Sequence, residues 1–146
     1  MITTLTGNNQ FLLQQELNSL INSFVDEFGD LGLEKLDGEE ASPERLVEAV
    51  QSLPFLVDKK LLVLRNPGSQ KSFAEAVDTI LGSVPDRVDI VIVEPKIDKR
   101  SSYFKVLKSK TELKEYTEPD SYKLNTWIVQ YVKQQGGSIS LSDAGY

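Results

Sequence analysis

The stretch Lys60-Leu61-Leu62-Val63-Leu64 is apolar without alternation after its first residue, and Val88 to Val93 (Val-Asp-Ile-Val-Ile-Val) is a second such run, rich in β-branched side chains. A strand that is apolar at successive positions has both faces in a core, so it needs helices packed above and below it. Elsewhere, short apolar runs alternate with segments of helical spacing, the pattern of strands that cross over through helices. The predicted class is therefore α/β: a parallel five-stranded sheet flanked by helices, with its centre on these two strands.

The remaining elements follow the same logic. Met1 to Thr6 reads as a first strand ending at Gly7-Asn8-Asn9. Leu13, Leu17, Leu20, Ile21, Phe24, Val25 and Phe28 then recur three and four apart on one helical face, which Gly29 stops. Leu33 to Leu36 is a short second strand. Ser42-Pro43-Glu44 starts a helix with proline in its first turn, and Leu46, Val47, Val50 and Leu53 form its stripe before Pro54 ends it. Phe73, Ala76, Val77, Ile80 and Leu81 predict a third helix, Tyr103 to Lys110 a fourth, and Leu113 to Tyr116 a weak fifth strand. Ser121 to Gln135 reads as a last helix, with Leu124, Trp127, Ile128 and Tyr131 inward and Gly136-Gly137 as its cap. The division expected is a domain over 1–138, with 139–146 leading into a following helical module, because Ser142-Asp143 reads as a helix start.

Composition narrows the chemistry. Neither cysteine nor histidine occurs in the 146 residues, which removes disulfides, thiolate or imidazole metal sites, cysteine nucleophiles and the Ser-His-Asp triad. No metal site and no cofactor are expected. The net charge of −6 makes a bare electrostatic grip on nucleic acid an unpromising default, and neither a secretory leader nor an apolar span is apparent. The expected setting is cytoplasmic.

Four features carry chemistry or mimic it. The turn Thr6-Gly7-Asn8-Asn9-Gln10-Phe11-Leu12 sits where a phosphate loop would, yet it lacks the second glycine, the phosphate-reaching lysine and the Ser/Thr that holds Mg²⁺. The strand over 60–64 ends in Arg65-Asn66, where a P-loop ATPase places carboxylates. Asp37, Glu39 and Glu40 cluster, but beside Gly38 and just before a helix start they read as a solvated turn. From Lys96 to Lys114 seven basic residues face two acids, a local +5 that leaves −11 for the rest. Lys99, Arg100, Lys105 and Lys108 of this stretch are candidates for nucleic-acid or subunit contact, although a solvated helix face accounts for the same pattern. Finally, Gln51 to Lys60 holds more large apolar residues than a connector needs: Leu53, Phe55, Leu56 and Val57 either cap the sheet or form an exposed knob for a partner's pocket.

Taken in order, Thr6-Gly7-Asn8-Asn9-Gln10-Phe11-Leu12, Leu36-Asp37-Gly38-Glu39-Glu40, Leu53-Pro54-Phe55-Leu56-Val57-Asp58-Lys59-Lys60-Leu61-Leu62-Val63-Leu64-Arg65-Asn66 and Lys96-Ile97-Asp98-Lys99-Arg100, with Trp127-Ile128 and Ile139-Ser140 beyond, resemble the delta subunit of bacterial DNA polymerase III. The resemblance implies an N-terminal domain shaped like the AAA+ ATPase core of clamp loaders but without a working nucleotide site, followed by lid and collar domains. It implies a subunit that opens the ring-shaped sliding clamp for loading onto DNA without hydrolysing ATP, inside a DNA polymerase (nucleotidyltransferase) holoenzyme. It places Leu53, Pro54, Phe55 and Leu56 at the clamp, or beta subunit, and implies gamma/tau and delta prime subunits as further partners, mainly through the later domains. The common family pattern has a second aromatic where Leu56 stands here. The isolated domain is expected to be a monomer with no catalytic residue. Two competing readings are an atypical P-loop nucleotide-binding enzyme, separable by ATP titration, and a single-strand DNA-binding domain built on the basic stretch, separable by salt dependence.

Overall fold

The computed structural model describes residues 1–54 and 56–118. The expected helix over 121–135, its glycine cap and the residues 139–146 lie outside the described residues, as does Phe55.

Among the described residues five strands and four main helices alternate: β1 (Ile2–Thr6), α1 (Gln10–Phe28), β2 (Leu33–Asp37), α2 (Pro43–Gln51), β3 (Lys60–Arg65), a 3₁₀ turn (Pro67–Ser69), α3 (Lys71–Gly82), β4 (Val88–Glu94), α4 (Ser102–Lys110) and β5 (Glu112–Glu115). The sheet order is β2-β3-β4-β1-β5 and every pairing is parallel. Leu62 lies opposite Ile90, and Ile90 opposite Ile2, so the two apolar runs sit side by side with β4 central. Alternate residues then divide between two cores. Leu62, Leu64, Ile90 and Ile92 pack with Leu46, Phe73, Val77 and Leu107 of α2, α3 and α4. Leu61, Val63, Val91, Val93 and Leu5 pack with Leu13, Leu17 and Phe24 of α1 on the opposite face. The unbroken apolar runs are the consequence of this three-layer burial.

Local chemistry sets the helix ends. Asn9 caps α1 by accepting from the Leu12 amide at 3.1 Å, and Ser42 caps α2 by accepting from Arg45 at 3.1 Å, with Pro43 in the first turn. Gly29, at φ 82°, closes α1. Two expectations need correction. The α2 stripe stops before Leu53, because the helix ends at Gln51 and leaves Leu53 63% exposed. Pro54 keeps Leu53 out of helical backbone, and the buried Lys60 ammonium, paired with Glu34 at 2.8 Å, takes the Ala49 carbonyl at 2.7 Å that a continuing helix would offer to the Leu53 amide. Ala76 is also exposed, and Ala74 packs against the core in its place.

Candidate functional site: two edges of the sheet

In a parallel sheet all carboxyl ends lie at one edge, and ligand crevices form there where neighbouring connections depart in opposite directions, here between β1 and β4. The turn after β1 is closed by other parts of the chain. Gly7 donates to the Pro95 carbonyl at 3.2 Å, Asn9 donates to the Tyr116 carbonyl at 2.9 Å, and Tyr116 donates back to Thr6 at 2.8 Å. Gly7 is required because its φ is +119° and a β-carbon would fall 1.9 Å from the Tyr116 oxygen. Two amides that a phosphate loop would turn toward an anion are thus occupied by carbonyls. At the end of β3, Arg65 donates to Gln14 at 3.3 Å.

Beside this turn lies a cleft of about 620 Å³ whose lining includes Glu39, Glu94, Lys96, Asp98 and Tyr103. Glu94 is buried, and one oxygen accepts from the Tyr103 hydroxyl and from the Gly68 amide, both at 2.6 Å. Burial pushes this carboxyl above its ordinary pKa, against the pull of those two bonds. Burial likewise raises the Tyr103 hydroxyl, which stays a donor. Asp37 shapes the neighbouring turn by accepting from Glu39 at 2.9 Å, as the turn reading of Asp37, Glu39 and Glu40 requires.

The amino edge carries the residues that the sequence places at a partner. Leu53 and Leu56 are 63% and 85% exposed, while Pro54 is half-buried. Leu56 also has φ +64°, a left-handed backbone that a leucine seldom adopts. This connection is anchored despite its exposed side chains. Arg87 donates through Nε to the Asp58 carbonyl at 2.9 Å and through Nη2 to the Val57 carbonyl at 2.7 Å. Lys59 pairs with the buried Asp89 at 3.0 Å, which also pairs with the Met1 amino group, and its ammonium lies 5.5 Å above the Phe28 ring. Gly32 admits the Lys59 carbonyl so closely that a β-carbon there would stand 2.3 Å from it. Leu31, 83% exposed, lines a shared groove with Leu53, Pro54 and Val57. Arg87, Gly32 and Leu31 carry no signal in the sequence that would have singled them out, since each matters only through a loop brought beside it by the fold.

The basic candidates separate into two groups. Lys99 and Arg100 occupy the loop after β4, where Lys99 pairs with Glu115 at 2.5 Å and Arg100 with Asp98 at 3.4 Å. Lys105 and Lys108 stand exposed one turn apart on α4, with no carboxylate in pairing distance among the described residues. Tyr103, Phe104 and Leu107 of the same helix are buried. No helix among the described residues is long and apolar enough to cross a membrane.

Residues 4–117 match the family model described as DNA polymerase III, delta subunit. Over 96% of its length the chain is 24% identical to the DNA polymerase III subunit delta of Bacillus subtilis, of which it covers 44%. Its structure superposes on a Bacillus subtilis DNA clamp loader delta protein with a TM-score of 0.77 at 22% identity, covering 98% of this chain and 46% of that one. A DNA polymerase III gamma subunit-related protein from Thermotoga maritima superposes with a TM-score of 0.55 at 14% identity, covering 92% of this chain and 47% of that one. The chain therefore spans about half the length of the relatives it matches.

Proposed function

The chain belongs to the DNA polymerase III delta subunit family, and from that premise we propose that it is a non-catalytic clamp-binding module that grips the sliding clamp through Leu53, Pro54, Phe55 and Leu56. In this reading it helps to open the ring, or hold it open, while other loader subunits hydrolyse ATP. The observation that carries the proposal is the pair of exposed leucines, Leu53 and Leu56, on a connection whose backbone is anchored by Arg87, just before β4. Apolar side chains held outward by an ordered backbone suit a preformed apolar pocket, since little order is lost on docking. The occupied amides at Gly7 and Asn9, the missing phosphate-loop lysine and the Arg65-Asn66 strand end support an ATP-independent role.

The test is binding to the cognate sliding clamp by interferometry, with ATP titrated separately by calorimetry. An aromatic seated in an apolar pocket contributes about 2 kcal/mol or more, so Phe55→Ala weakens clamp binding by roughly 30-fold or more. Unchanged affinity in Phe55→Ala and in a Leu53→Ala/Leu56→Ala double variant refutes the contact, and saturable ATP·Mg²⁺ binding at submillimolar ligand refutes the ATP-independent role. A second reading rests on Lys105 and Lys108, whose charges are exposed without a described acidic partner. They would make a nucleic-acid or subunit contact from α4. Single-strand DNA affinity that falls steeply with salt and drops in a Lys105→Glu/Lys108→Glu variant would favour it.

A further inference from the structure

Arg87 precedes β4 and is itself exposed, yet both arms of its guanidinium reach across to another connection. Nε meets the Asp58 carbonyl at 2.9 Å and Nη2 meets the Val57 carbonyl at 2.7 Å. These are the two carbonyls that follow Leu56, the residue whose φ is +64°. A left-handed leucine reverts to commoner backbone regions unless its surroundings hold it, and the two bonds to the next two peptides provide such a hold. The guanidinium suits the task because its donors are fixed in one plane, so two successive carbonyls are held at a set separation. An ammonium offers one mobile point of attachment.

The flanking anchors act on neighbouring backbone and do not replace it. Lys59 to Asp89 and Lys60 to Ala49 and Glu34 secure the chain entering β3 and the end of α2. Resting on the clamp-contact reading, we propose that Arg87 is a positioning residue for that contact. It fixes the Val57 and Asp58 peptides, and with them the arrangement in which Leu53 and Leu56 meet the partner, without needing to touch the partner itself. Removing it leaves the leucines present but free to sample other arrangements, so each binding event must first order the segment.

The experiment is a double-mutant cycle on the whole chain against the cognate clamp, combining Arg87→Ala with Leu53→Ala/Leu56→Ala and reading both affinity and melting temperature. Arg87→Ala is expected to weaken binding by roughly fivefold to tenfold. Arg87→Lys should recover part of that loss, and the Arg87 effect should vanish once the leucines are gone. Additive effects would mean that Arg87 touches the clamp directly and would overturn the proposal. So would unchanged affinity in Arg87→Ala while the leucine variant binds poorly, an outcome that leaves the clamp contact standing. If the leucine variant itself binds normally, the contact and the positioning role fall together. Should Arg87→Ala not fold, Arg87→Gln, which retains a donor, completes the cycle.

Discussion

If Leu56 meets the clamp as proposed, a single substitution there should move folding and binding in opposite directions. Its φ of +64° places an L-residue in the left-handed region, which costs about 1–2 kcal/mol. Its side chain is 85% exposed, so little burial offsets that cost within the chain. Glycine adopts the same backbone without steric penalty, though its more flexible unfolded state returns about 0.5–1 kcal/mol. Leu56→Gly should therefore stabilise the fold by roughly 0.5–1 kcal/mol, visible as a rise of a few degrees in the thermal midpoint. In a partner's pocket the leucine side chain is worth about 1.5–3 kcal/mol, so the same substitution should weaken clamp binding by roughly 10- to 100-fold. Leu56→Ala is the control, because alanine keeps the backbone cost and loses the side chain: affinity falls without a gain in stability. Urea denaturation and interferometry on the same preparations read both quantities. A Leu56→Gly protein less stable than the parent would show that the backbone is not strained. A more stable one with parental clamp affinity would remove Leu56 from the contact.

Three further outcomes are expected. Gly7→Ala should cost roughly 2–4 kcal/mol in chemical denaturation, because the new methyl would meet the Tyr116 carbonyl at an already unfavourable φ; a parental midpoint would refute the close latch. Glu34 and Glu94 should titrate with opposite sign. Burial raises the Glu34 pKa, but the bonds and charges of Lys60 and Arg45 outweigh it, so Glu34 contributes stability that is present above about pH 4.5 and is lost as pH falls through its lowered folded value. Glu94 is raised, chiefly by burial, so its contribution is complete below about pH 4.5 and is lost as pH rises through its folded value. The fall in stability on the acid side should accordingly become shallower in Glu34→Gln and the fall above pH 4.5 shallower in Glu94→Gln; no change in either slope would contradict the burial argument. Light scattering should give a monomer at micromolar concentration, and a stable dimer would count against the single-module reading.

What the sequence made legible follows from which forces are local. The β3 and β4 runs announce two-sided burial at successive residues, and the stripe from Leu13 to Phe28 repeats at helical spacing along one covered face. β5 was harder, because Glu112-Leu113-Lys114-Glu115 is an edge strand whose identity comes from backbone pairing with β1, and its observed start is one residue before the expected one. The end of α2 could not be read from periodicity: Leu53 continues the spacing, but Pro54 bars it from the helix and the Lys60 ammonium takes the Ala49 carbonyl. The exposed leucines of the candidate contact were visible as an apolar excess in a connector. Arg87 was not, because its carbonyl partners lie 29 and 30 residues earlier. Nor was the left-handed Leu56, since a leucine carries no local preference for that backbone.

The two edges of the sheet have opposite electrostatic characters, and this bears on what each can bind. Helix N-termini and their free amides gather at the carboxyl edge, the usual place for an anion, but here carbonyls take the Gly7 and Asn9 amides and the buried Glu94 adds an acidic group beside them. Helix C-termini gather at the amino edge, where Gly29 caps α1 and Ser52 caps α2, so a phosphate would meet the negative ends of the dipoles. The cations around the α2–β3 connection are directed at the chain itself: Lys60 to Ala49 and Glu34, Lys59 to Asp89, Arg87 to Val57 and Asp58. The large apolar side chains left facing solvent in or beside this groove are Leu31, Leu53 and Leu56. A partner that covers these three leucines must bring apolar surface, which a nucleotide triphosphate or a DNA backbone does not offer and a protein pocket does.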